Sequence, residues 1–197
     1  MITSLKRTND PTTWLAVTRV EMEKQLSIST DFEGSRTDGI IEASVQEVES
    51  DTEQSITATA QAQDQEWTMK LDRWPTNDQA AIYLPKGPVE SIVSFAYLNS
   101  AGTSTPLVAD TDYKFNNNDD QPFLTYIGSW PSLYSTDFRE KITVVYETGY
   151  TTVPSWAKEA IKAYGTEIYS AGEVSTTKIY ESLTKKHRLY FDWKINE

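Results

Sequence analysis

The sequence predicts an α+β fold: a helical frame of two N-terminal helices and one long C-terminal helix around a small, mostly antiparallel β-sheet, followed by a helix-plus-strand tail. Three observations carry this reading. Apolar residues recur at three- and four-residue steps near both ends, the middle alternates apolar with polar residues, and Pro, Gly and Asn separate the runs. With 197 residues the chain is long enough for one sizeable domain with appendages. The expected main domain covers 1–173, with helices at 18–28, 38–57 and 154–171 and a β insertion at 65–148; residues 174–197 form an extension.

Each element has its own signal. Asn9, Asp10 and Pro11 mark a turn, and Trp14 and Leu15 are a first apolar anchor. Thr18 stands three residues before Glu21, the spacing of a capping box, with Val17 and Met22 at the staple positions. In the second helix Asp38 is the expected cap, and Ile41, Val45, Val48 and Thr52 form a stripe beside Ile40. Glu42, Glu47, Glu49, Asp51 and Glu53 read as its solvated face. The low-complexity run TATAQAQDQ leaves the end of that helix undefined. Trp67, Met69 and Leu71 then alternate as a strand, Ile82–Leu84 form a second, and 90–98 a third, with Val93, Phe95 and Tyr97 expected on one face and Ile92, Ala96 and Leu98 on the other. A hairpin at Asn99–Gly102 returns the chain through Leu107 and Val108 to Tyr113 and Phe115. Ile142, Val144 and Tyr146 alternate in a further strand, Gly149 breaks it, and Pro154 opens a helix carrying Ala157, Ile161, Tyr164 and Ile168.

Composition excludes several classes of function. There are no cysteines, so disulfides, thiolate metal sites and a cysteine nucleophile are absent. Mean hydropathy is −0.53, and no run approaches the ~18 apolar residues of a membrane helix. MITSLKRTNDP lacks the apolar core of a secretory signal, so a soluble, unexported protein is expected. A formal charge of −11 opposes tight binding of a phosphate backbone. No Gly-rich phosphate loop and no G-x-S-x-G elbow occurs. His187, the one histidine, lies beside Lys186 and Arg188, a setting read as a solvated or interfacial basic cluster. NNNDD at 116–120 lacks the spacing of a calcium loop and reads as a turn. The expectation is therefore no enzyme, no cofactor and no metal. The six Trp and eleven Tyr sit mostly at strand and helix-stripe positions, which suits packing, although stacking platforms for a sugar are the alternative.

The last segment is the candidate for docking. Thr176 or Thr177 starts a helix carrying Ile179, Tyr180 and Leu183, with Lys185, Lys186, His187 and Arg188 at its C-terminal end. Leu189, Phe191, Trp193 and Ile195 then alternate with Tyr190, Asp192 and Lys194. That apolar row needs cover. Either it completes its own sheet or it adds a strand to a partner chain.

In order and spacing, several motifs resemble the head-tail connector (adaptor) proteins of tailed phages, the phiE125 gp8 and gp6-like family. They are VTRVEMEKQLSI, DGIIEASVQEVES, EWTMKLDRWP, IYLPKGPVESIVSFAYLN and ITVVYETGYTTVPSWAKEAIKAYGTEIY, spanning roughly residues 14–173. Glu53 and Gln54 depart from the Gly-Arg helix end of relatives, and the tail after Glu173 is longer than many carry. The resemblance implies a structural virion protein, assembled in the host cytoplasm and located at the head-tail junction. It would form a ring, usually of twelve copies, beneath the portal, extend the DNA channel and present a platform for tail or stopper proteins. Its implied partners are other copies of itself, the portal and those tail proteins, with genomic DNA passing the lumen unbound and no membrane contact. Leu189, Tyr190, Phe191, Trp193, Ile195, Ile179 and Leu183 are the residues expected to dock. The alternative is an aromatic-rich carbohydrate- or surface-binding module of a phage tail.

Overall fold

A computed structural model describes residues 2–8, 16–28, 34–56, 65–76, 81–117, 121–170 and 177–188. Trp14, Leu15, most of the TATAQAQDQ run, the end of NNNDD, Thr176 and the alternating row from Leu189 onward lie outside them. The class is α+β, with four helices and two antiparallel sheets rather than one. Two compact units are present, one containing all the strands and the other all the helices.

In the helical unit, α1 (Arg19–Leu26) begins at the expected capping box. The Thr18 amide donates to Glu21 Oε2 at 2.8 Å and the Glu21 amide to Thr18 Oγ1 at 3.2 Å. Those bonds hold the Glu21 carboxyl below its ordinary pKa. Helix α2 (Gly34–Thr52) starts earlier than expected, so Asp38 lies inside it and forms a two-pronged pair with Arg19 of α1 instead of capping. It ends at Glu53, a left-handed residue (φ 56°) standing where Gly is usual. Glu49 turns inward there, and its Oε1 accepts the Ile56 amide at 2.8 Å, so it is not part of a solvated face. Helix α3 (Ser155–Tyr169) takes Pro154 as its cap residue and so starts one position later than expected, and α4 (Thr177–His187) follows. Val17, Met22, Ile41, Val45, Val48, Ala157 and Ile161 are among the residues of their common core.

In the other unit the larger sheet runs β1-β2-β8-β4-β5: β1 (Ile2–Arg7), β2 (Gln65–Leu71), β8 (Ile142–Thr148), β4 (Val89–Leu98) and β5 (Ser104–Pro106). The smaller sheet orders β3 (Ala81–Tyr83), β7 (Phe123–Tyr126) and β6 (Tyr113–Asn116). Strand β8 is central and alternates as expected, with Ile142, Val144 and Tyr146 fully buried. Gly149 follows it with φ 145°, a backbone state open to glycine at no steric cost. Side chains from both sheets share one core that includes Met69, Ile82, Phe95, Leu124 and Val144.

Two findings differ from expectation here. No strand is read before residue 65, yet β1 pairs with β2 along its length, from Ile2↔Leu71 to Arg7↔Trp67, with a register shift between Ile2 and Ser4. Strand β4 shifts register between Ile92 and Ser94, so Ile92 faces Tyr146 while Phe95 faces Val144. Val93 is the extra residue of that bulge and is 49% exposed, so it does not share a face with Phe95.

Candidate interaction surfaces

Helix α4 presents Tyr180, Leu183, Thr184 and His187 towards the helical core, because residues three and four apart share one face. The Tyr180 hydroxyl donates to Asp51 Oδ2 at 2.7 Å and its ring lies 5.2 Å from that of Tyr164. Burial, and then the Asp51 carboxylate, push the Tyr180 phenol far above its ordinary pKa. Thr184 Oγ1 donates back to the Tyr180 carbonyl at 3.1 Å, so its hydroxyl is satisfied within the helix.

The C-terminal end of α4 is tied to the end of α2. The His187 carbonyl accepts from Gln54 Nε2, and Gln54 Oε1 in turn accepts from the Tyr150 hydroxyl. Arg188 Nε donates to the Asp51 carbonyl at 2.5 Å, and its Nη2 lies 3.7 Å from Asp51 Oδ1. The His187 ring stacks on Trp156, with centroids 4.3 Å apart and planes 6° from parallel. Burial, reinforced by the Lys186 charge, lowers its pKa. His187 is thus a packing group rather than one member of a solvated basic cluster; Lys185, Lys186 and Arg188 are exposed, the last paired with Asp51.

Of the residues expected to dock, Leu183 packs against the helical core and Ile179 lies off the buried stripe, 59% exposed. Leu189, Tyr190, Phe191, Trp193 and Ile195 lie outside the described residues.

The aromatics of the sheet unit are largely spent on one another. Trp74 stacks on Trp130 at 4.3 Å and meets Phe95 edge-on at 6.2 Å, and its Nε1 donates to the Pro131 carbonyl at 2.6 Å. Tyr113 meets Phe95 edge-on at 5.1 Å, and Tyr126 lies 4.9 Å from Trp130. Rings facing rings at these distances bury one another's faces, which a sugar would need free. Exposed apolar residues gather instead at a turn tip. Asp112 Oδ2 accepts the Val108 amide at 2.8 Å, the Asp112 carbonyl accepts the Ile127 amide at 2.7 Å, and both apolar side chains are exposed.

The sheet edges differ. Strand β5 has three residues and ends in Pro106, a short and blunted edge. Strand β1 has six residues without proline, and among the described residues no strand pairs with its outer side. Ile2 and Leu5, its two apolar residues, are only partly buried against the core.

Among the described residues no group of three or more His, Asp or Glu is placed to hold a metal ion, and no helix is long and apolar enough to cross a membrane.

No protein-family profile and no curated protein matches this sequence. Solved structures do. One is a chain from the neck of an empty gene transfer agent (GTA) particle computed with C6 symmetry, with a TM-score of 0.76 and 15% identity over 98% of this chain and 100% of that one. A chain from the virion of the native GTA particle gives 0.74 and 16% over 95% and 96%. A third, from the neck of the native GTA particle computed with C12 symmetry, gives 0.72 and 15% over 98% and 100%. At such identities the likeness is one of fold.

Proposed function

We infer that this protein is a structural, non-enzymatic component of a phage-like neck: a head-tail connector that closes into a ring, extends a DNA channel and receives the tail. The observation that carries this reading is the whole-length match of fold to chains of GTA necks, with both proteins covered almost completely. Symmetry of C6 and C12 in those necks supports a ring, and C12 accords with twelve copies. A closed ring requires two different complementary surfaces on each subunit, and each contact needs on the order of 1,000 Å² to be stable.

In this reading the chain sits at the head-tail junction of a virion, assembled in the host cytoplasm, with the portal above it and tail or stopper proteins below. Its formal net charge of −11 leaves DNA free to slide, since like charge opposes adhesion to phosphates. Ile179 and the row Leu189, Tyr190, Phe191, Trp193 and Ile195 supply the docking surface towards the portal or a neighbouring subunit. The test is to mix the purified chain with its portal and image the complex by negative stain. A ring of subunits capping the portal is the expected result; portal particles left bare, with the chain still monomeric, would refute the reading.

A further inference from the structure

We propose that the turn tip carrying Val108, Asp110, Asp112 and Ile127 in one copy docks on the outer side of α4 in a neighbouring copy, where Ile179 stands among Lys178, Lys185 and Lys186. The proposal rests on the ring reading, because it supplies the neighbour.

The tip is apolar and acidic, and it is held in shape. Val108 is 57% exposed and Ile127 42%, and Asp112 binds the amides of both. The Thr111 and Asp112 amides donate to the Val108 carbonyl at 3.3 and 2.8 Å, and the Asp110 amide donates to the Tyr113 carbonyl at 2.8 Å. Asp110 has φ 61°, a left-handed state that an L residue keeps only where its surroundings fix it. A tip already ordered in this way loses little entropy on docking. Neither Asp110 nor Asp112 has an ion pair among the described residues.

Helix α4 offers the complement. Ile179, at 59%, is the most exposed large apolar residue among the described ones. Lys178, Lys185 and Lys186 are exposed off the buried stripe, against the single exposed carboxylate of Glu181, and none of the three lysines has an ion pair among the described residues. The helix is a fixed platform, since Asp51 holds Tyr180 and Arg188 while Gln54 holds the His187 carbonyl. Docking removes Val108, Ile127 and Ile179 from water and brings free lysines to free carboxylates. Opposite charge on the two surfaces also disfavours tip on tip and helix on helix. The contact is therefore heterologous and repeats from copy to copy, as a ring requires.

The absence of native cysteine makes the test clean. Full-length Thr111→Cys protein and full-length Ser182→Cys protein, each altered at an exposed position, are mixed with the purified portal, and a short bismaleimide is added. The expected product is a covalent pair containing one copy of each variant, in higher yield than either variant gives with itself. Adding Lys185→Glu to the second variant should lower that yield, and adding Asp110→Lys to the first should restore it. Pairs of like variants alone, or a mixed yield indifferent to both charge changes, would overturn the proposal. Rings on the portal without the mixed pair would overturn this inference and leave the ring reading standing. Bare portal without the pair would overturn both. Mixed pairs without rings would uphold the contact and count against the ring.

Discussion

At the scale of single residues, the helical core is tightest where α3 passes α1 and α2. A Cβ added to Gly165 would lie 2.7 Å from Met22 Cε, 2.9 Å from its Sδ and 3.2 Å from Ile40 Cγ2. Met22 is fully buried, so it cannot swing into solvent to make room. Gly165→Ala should therefore cost about 1–3 kcal/mol in urea unfolding. Gly39→Ala is the contrasting case, since nothing lies within 4 Å of its Cβ and the position is exposed within α2. Removing backbone freedom there should stabilise by about 0.5–1 kcal/mol. Equal effects at the two sites would contradict the close approach. His187 gives a second prediction. Its folded-state pKa lies below the ordinary 6.5, so the unfolded chain takes up the proton first as the pH falls. The associated stability is complete above pH 6.5 and is lost as the pH drops from 6.5 towards the folded value. Urea midpoints should fall through that window in the native protein, while His187→Asn, with nothing to titrate there, should remove that part of the slope.

At the scale of elements, the strands show where periodicity succeeds and where it fails. β8 alternates without interruption, and its inward set is the one expected from the sequence. In β4 the shift between Ile92 and Ser94 inserts one residue, so Ile92 and Phe95, three apart, oppose Tyr146 and Val144. Two variants test this. Phe95→Ala should cost about 3–5 kcal/mol because it empties a filled core position. Val93→Thr should stay within about 0.5 kcal/mol because its side chain is half in water. Thermal or urea unfolding of the pair decides between a bulge and a regular strand, in which both residues would face the core. β1 has the same property, for its shift between Ile2 and Ser4 also separates two core-facing apolar residues by three. A period-two search passes over such a strand. Helix ends behave alike: Glu53 in a left-handed conformation and the inward Glu49 close α2 without the glycine that would have marked the stop.

At the scale of the whole molecule, each unit has its own core, and the exposed apolar residues among the described ones include Val108 and Ile127 at a turn tip and Ile179 on the outer side of α4. Removing residues 189–197 while keeping Arg188, which binds Asp51, should leave both cores and the circular dichroism spectrum unchanged yet abolish ring formation on the portal. Rings that persist in the truncated protein would place the docking surface elsewhere. The sequence by itself determined the α+β class, the capped start of α1, the inward face of β8 and the helix after Pro154, because each depends on neighbours within about one turn or one strand. Tertiary structure alone decided the rest. Whether Asp38 caps a helix or pairs with Arg19, whether Glu49 faces water or Ile56, and whether His187 is solvated or stacked on Trp156 are settled by groups brought from other elements. Division of the strands between two sheets follows the same rule, since β1 reaches its partner across some sixty residues that leave no periodic trace of the pairing.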